Sequence, residues 1–159
     1  MKGAAARPPN RRQVIALGVG SVMLSALPKP VGATQDEVWA EIAKLFGSGA
    51  IIDGRVMLEI PKLAETGFSV PVSVSVESPM TEADHVSRIA IFSEQNPRPR
   101  IVEAFFSPAS GAASLETRIR LSGSQGVVAI AQMSDGSLWR ARQEIEVIVG
   151  ACKPPPARR

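Results

Sequence analysis

The sequence is short of the side chains on which most enzymes depend. Its 159 residues include one cysteine and one histidine, so neither an internal disulfide nor a Cys/His zinc site can be assembled. A Ser/His/Asp triad, or acid–base catalysis through imidazole, would rest on His85 alone. Phosphate-binding glycine loops, nucleophile elbows and dinucleotide fingerprints are absent. Acids are missing from the first 33 positions, where Lys2, Arg7, Arg11, Arg12 and Lys29 are the charged residues. That gap accounts for the formal charge of +3: the remainder carries 13 basic against 15 acidic groups, and residues 34–149 hold 10 against 15. An acidic body removes the usual inference from a high isoelectric point to nucleic acid.

The acid-free start reads as a twin-arginine export signal. Asn10-Arg11-Arg12-Gln13-Val14-Ile15 supplies the arginine pair, Val14 to Leu27 is a moderately apolar stretch, and Pro28-Lys29-Pro30-Val31-Gly32-Ala33 offers a cleavage site after Ala33. About 20 apolar residues are needed to span a bilayer, and the 14 between Val14 and Leu27 fall short, so the expectation is a cleaved signal and no membrane anchor. The mature chain then belongs in a periplasm or an equivalent oxidising compartment. Export in the folded state suggests a preassembled cofactor or partner. With no cofactor motif in the sequence, a partner is the expectation.

Residues 34–149 have the size of one domain with one core. Asp36 to Phe46 is the single helical pattern, with Val38, Trp39, Ile42, Leu45 and Phe46 at helical spacing, Thr34 or Asp36 as its cap and Gly47 as its end. Seven β-strands follow: Arg55–Ile60, Val70–Glu77, Val86–Ser93, Ile101–Phe106, Ser114–Leu121, Val127–Met133 and Leu138–Val149, separated by Ser/Pro/Gly/Asn turns. Alternation is clearest in Val70-Pro71-Val72-Ser73-Val74-Ser75-Val76, which predicts antiparallel sheets with one face in water. The expected fold is an all-β, immunoglobulin-like sandwich of about seven strands with one N-terminal helix. Residues 150–159 break the pattern: Gly150-Ala151-Cys152-Lys153-Pro154-Pro155-Pro156-Ala157-Arg158-Arg159 cannot continue a strand, because prolines lack the N–H donor. This is a mobile C-terminal arm.

The only cysteine, Cys152, lies on that arm, where exposure is expected. An exposed thiol in an oxidising compartment is at risk of oxidation and cross-linking, which favours use over chance retention. One mobile thiol without a second cysteine cannot run a dithiol cycle. The chemistry left is attachment: a thiolate that accepts a group, presents it and gives it up, with Lys153 favouring the thiolate. Glu82, Asp84 and His85 superficially suggest a metal site, but an acidic inter-strand loop is the preferred reading, since Asp and Glu are common there and no further ligand is identifiable. Trp139 reads as a core or sheet-edge aromatic, and Arg98 and Arg100 as solvated loop charges.

Several longer segments bear a family resemblance. Val70-Pro71-Val72 leads into Glu77-Ser78-Pro79-Met80-Thr81-Glu82-Ala83-Asp84-His85-Val86, followed by Asn96-Pro97, Phe106-Ser107-Pro108-Ala109-Ser110-Gly111, Thr117-Arg118-Ile119-Arg120-Leu121 and Met133-Ser134-Asp135-Gly136-Ser137-Leu138-Trp139. Together these resemble SoxY, the sulfur-carrier subunit of the Sox thiosulfate-oxidation system, over nearly the whole mature chain. The resemblance implies an immunoglobulin-like subunit, not itself an enzyme, paired with a SoxZ-like subunit. Its C-terminal cysteine, here Cys152, would carry a covalent sulfur adduct between periplasmic enzymes, among them a c-type cytochrome and a sulfate-releasing hydrolase. Gly150, Ala151 and Lys153 would form the carrier arm, and no metal or other cofactor is implied. The family arm reads Gly-Gly-Cys-Gly-Gly, whereas this one substitutes Ala151 and Lys153 and continues for seven residues past the cysteine. A β-sandwich interaction module with a vestigial cysteine is therefore the alternative reading, and a thiol redox enzyme a third, disfavoured by the missing resolving cysteine.

Overall fold

In a computed structural model, which describes residues 35–151, the chain opens with helix α1 (Gln35–Phe46). Asp36 falls inside its first turn with Glu37, where carboxylates complement the helix dipole, so Asp36 is not the cap; Thr34 lies outside the described residues. The helix ends where Gly47 takes a positive φ of 81° and donates its N–H to the Ala43 carbonyl at 2.8 Å. The proposed signal (1–33), Cys152, Lys153 and the rest of the tail also lie outside the described residues.

Nine strands follow: β1 (Ile51–Asp53), β2 (Val56–Glu59), β3 (Leu63–Thr66), β4 (Val70–Val76), β5 (Val86–Ser93), β6 (Arg100–Phe105), β7 (Ala113–Ile119), β8 (Gln125–Met133) and β9 (Leu138–Val149). One sheet runs β1-β9-β8-β5-β6, with β3 also paired to β9; the other runs β2-β4-β7. The expected sandwich with one N-terminal helix is present, and all seven expected strands are found. Two expectations need correction. The strand count is nine because β1 and β3, three and four residues long, are too short to show a period. The sheets are also not purely antiparallel, since β1 and β3 both pair with β9 in parallel.

The valines of β4 explain the sheet-on-sheet core. Val70, Val72, Val74 and Val76 all point inward against Ile89, Ile91, Val127, Ala129, Ile145 and Val147. Pro71 is tolerated because β2 covers only Ser73–Val76 of β4, leaving the proline where that strand has a free edge. In β5 and β8 the opposite face is buried as well: Ala90, Phe92, Val128 and Ile130 meet Val38 and Ile42 of α1. These strands therefore read as continuous apolar runs, with no face in water. Trp39 sits at the rim beneath Arg140, whose guanidinium carbon is 5.5 Å from its ring centroid. Arg100 is more than a solvated charge, pairing with Glu103 at 2.9 Å and with Glu41 of α1 at 3.6 Å. Trp139 is a half-buried aromatic over which Arg55 stacks at 5.1 Å.

Candidate functional site

Strand β9 carries the chain from the Ser134–Ser137 turn to the residues that precede Cys152. Its inward residues Ile145 and Val147 are core, while Glu144, Glu146 and Ile148 face out. Beyond Val149 the backbone stays attached to the body. The Gly67 N–H donates to the Val149 carbonyl (2.8 Å), the Leu121 N–H donates to the Gly67 carbonyl (2.9 Å), and the Ala151 N–H donates to the Leu121 carbonyl (2.9 Å). Gly150 and Ala151 thus lie between the end of β3 and the loop after β7, with Cys152 the next residue.

That loop is held by a buried polar network. Asn96 and Gln125 are only 7% and 6% exposed. The Asn96 carbonyl oxygen accepts from the Ser122 N–H (2.8 Å) and from Nε2 of Gln125 (3.1 Å), and its Nδ2 donates to the Arg120 carbonyl (2.8 Å). Gln125 also donates to the Gly123 carbonyl (3.2 Å) and accepts from the Gln95 N–H (2.8 Å). The Ser124 hydroxyl ties the same loop to β9 by accepting from the Val147 N–H at 2.9 Å. Satisfied networks of this kind fix one arrangement of backbone. Asn96-Pro97 and Ser122–Gly126 are among the Ser/Pro/Gly/Asn turns expected between the strands; a glutamine opening a valine-rich strand is the signal in the sequence for the network. Gly67 gave none.

An open groove of about 590 Å³ lies beside the network, lined by Glu94, Gln125, Arg142 and Glu144 among others. Arg142 grips Glu94 with Nε and Nη2 on the two carboxylate oxygens, both at 2.8 Å. These hydrogen bonds hold the Glu94 carboxyl below its ordinary range, outweighing its partial burial, and push the Arg142 guanidinium up. A carboxylate held ionised in this way cannot serve as a general acid near neutral pH.

His85 lies at the far end of the molecule. Its carbonyl accepts from the Ser134 N–H (2.8 Å), and its Nδ1 is 3.0 Å from the Thr81 carbonyl. The turn at Ser134 precedes β9 and the arm follows it; twelve strand residues separate the two ends by about 35 Å. His85 is thus remote from Ala151, the last described residue before the cysteine. Asp84 pairs with Arg55 at 3.7 Å and its carbonyl accepts from the Thr81 N–H at 3.0 Å, so Asp84 and His85 both have structural partners. Among the described residues, no cluster of three His, Cys, Asp or Glu side chains has the geometry to hold a metal ion.

The family model for "Sulfur oxidation protein SoxY" matches residues 42–152. The chain belongs to the SoxY family. The matched stretch runs from α1 through the whole sandwich and ends on Cys152. The sulfur carrier protein SoxY from Chlorobium limicola f thiosulfatophilum superposes with a TM-score of 0.61 at 27% identity, covering 70% of this chain and 96% of that one. A superoxide reductase (neelaredoxin) from Ignicoccus hospitalis reaches a TM-score of 0.53 at 22% identity, covering 74% and 95%; at that identity the likeness is one of fold alone. No curated protein matches by sequence. The SoxY-like fold, with its nine strands and N-terminal helix, is thus that of a sulfur carrier in sulfur oxidation.

Proposed function

We propose that this SoxY-family chain is a periplasmic, non-enzymatic carrier that holds the sulfur intermediates of thiosulfate oxidation on Cys152. The observation that carries the proposal is the position of that residue: it is the last residue of the family match and follows directly on the end of β9, where Gly150 and Ala151 emerge between two loops. Joining the thiolate to the outer sulfur of thiosulfate forms an S–S bond and releases two electrons, which a c-type cytochrome accepts. Water then breaks the bond to the sulfonate group in a hydrolase, giving sulfate and leaving a persulfide on the cysteine, whose outer sulfur a dehydrogenase oxidises. The body supplies none of these reactions; it presents the thiol, paired with a SoxZ-like subunit, to enzymes that do. Lys153, next to the thiol, favours its ionised form.

Incubating the purified protein with thiosulfate and the oxidising cytochrome, then measuring intact mass, should show an adduct on the wild type and none on Cys152→Ser. An unchanged wild-type mass would sink the carrier reading in favour of an interaction module with a vestigial cysteine.

A further inference from the structure

Glycine precedes a functional residue either because the backbone must move or because something lies too close for a side chain. At Gly150 the second reason holds. Neither Gly150 nor Gly67 is among the glycines with positive φ, so neither backbone conformation demands glycine. Space does. A Cβ on Gly150 would overlap the Ser122 carbonyl oxygen and lie 3.3 Å from the Gly123 nitrogen; a Cβ on Gly67 would overlap the Leu121 carbonyl oxygen and lie 3.2 Å from the Ala151 nitrogen. In every case the neighbour is backbone, which cannot swing aside as a long side chain would. Gly123, in the same loop, has nothing within 4 Å of its own added Cβ.

We propose that Gly67 and Gly150 are positioning residues forming a backbone clamp that holds the chain to the body as far as Ala151, the residue before the cysteine. This deepens, and rests on, the reading of Cys152 as the carrier. Three hydrogen bonds close the clamp, from Gly67 to Val149, Leu121 to Gly67 and Ala151 to Leu121, and the Asn96–Gln125 network keeps its loop in place. The consequence is a short lever. One peptide unit, about 3.8 Å between successive Cα atoms, joins the last clamped residue, Ala151, to the cysteine that follows it in sequence. An enzyme that receives it must also accept the surrounding rim, where Phe68 and Val149 are exposed.

The test uses the full mature chain with its native cysteine. Amide exchange followed by NMR should show the Ala151 N–H protected at least about tenfold relative to an unstructured peptide, as hydrogen-bonded amides of folded segments are. A nitroxide attached to Cys152 should be restricted in the wild type and in Gly123→Ala, and become freely mobile in Gly150→Ala and Gly67→Ala under conditions where each is folded. A loss of global stability alone would not move that signal. An Ala151 amide exchanging at the unstructured rate, or equal label mobility in all four proteins, would overturn the clamp. If neither variant folds, wild-type exchange decides alone. The thiosulfate adduct, weighed on the same samples, separates the two proposals: protection without an adduct removes the carrier and leaves the clamp, and an adduct without protection does the reverse.

Discussion

Asn96 holds two loops with one amide. Its carbonyl oxygen receives two donors and its nitrogen serves one acceptor, all in a site nearly closed to water. Asn96→Ala leaves the Ser122 N–H and the Arg120 carbonyl without that partner. Each unsatisfied buried group costs about 1–3 kcal/mol, so the variant should lose about 2–4 kcal/mol in urea unfolding followed by fluorescence. Asn96→Asp should also be destabilised, because its second carboxylate oxygen faces the Arg120 carbonyl, two acceptors in a site nearly closed to water.

At the level of elements, α1 is tied to the sheet by few contacts. Val38 and Ile42 are its buried residues, set against Ala90, Phe92, Val128 and Ile130. Ile42→Ala opens a cavity there and should cost about 2–5 kcal/mol, whereas Trp39→Ala, at the rim, should cost less than about 1.5 kcal/mol by losing mainly its contact with Arg140. Thermal unfolding of the two variants side by side checks the ordering. The same comparison shows what the amino-acid order reveals. Helical spacing and alternating valines announce α1, β4 and β9 because period is a local property. Strands β1 and β3 are recruited by the edge of β9, so nothing in Ile51-Ile52-Asp53 or Leu63-Ala64-Glu65-Thr66 marks them in advance. Cys152 stands out chemically as the lone thiol on a Pro-rich tail. The clamp does not, since the approach of Gly67 to Leu121 and Ala151 joins three distant stretches of chain and leaves no pattern in any of them.

For the molecule as a whole, an acidic body lies between a basic leader and a basic tail. If the leader is cleaved as proposed, exported protein should have the intact mass of a chain starting at Thr34, and replacing Arg11 and Arg12 with lysine should leave it uncleaved in the cytoplasm. Stability should also depend on acid. The folded-state pKa of Glu94 is lowered by the Arg142 hydrogen bonds, so its stabilising contribution is complete above the ordinary glutamate range, roughly pH 4.3, and is lost as pH falls through the lower folded value. Arg142→Ala should lower stability by about 1 kcal/mol near neutral pH, with the difference from wild type shrinking below about pH 4. Urea midpoints measured at pH 7 and pH 3 would show it, and a difference that persists unchanged at pH 3 would contradict the assignment.

Strand β9 has one more consequence, and it concerns time. It is the last of the described strands along the chain, yet it lies inside its sheet, with β8 on one edge and β1 and β3 on the other. The two earliest strands of that sheet therefore wait for the end of the chain before they find a partner, and the body cannot close until residue 149 has left the ribosome. A ribosome that stops early makes a product lacking both this strand and the thiol just beyond it. If the chain is exported folded, as the proposed twin-arginine signal would have it, export would wait on the strand that immediately precedes the cysteine-bearing segment.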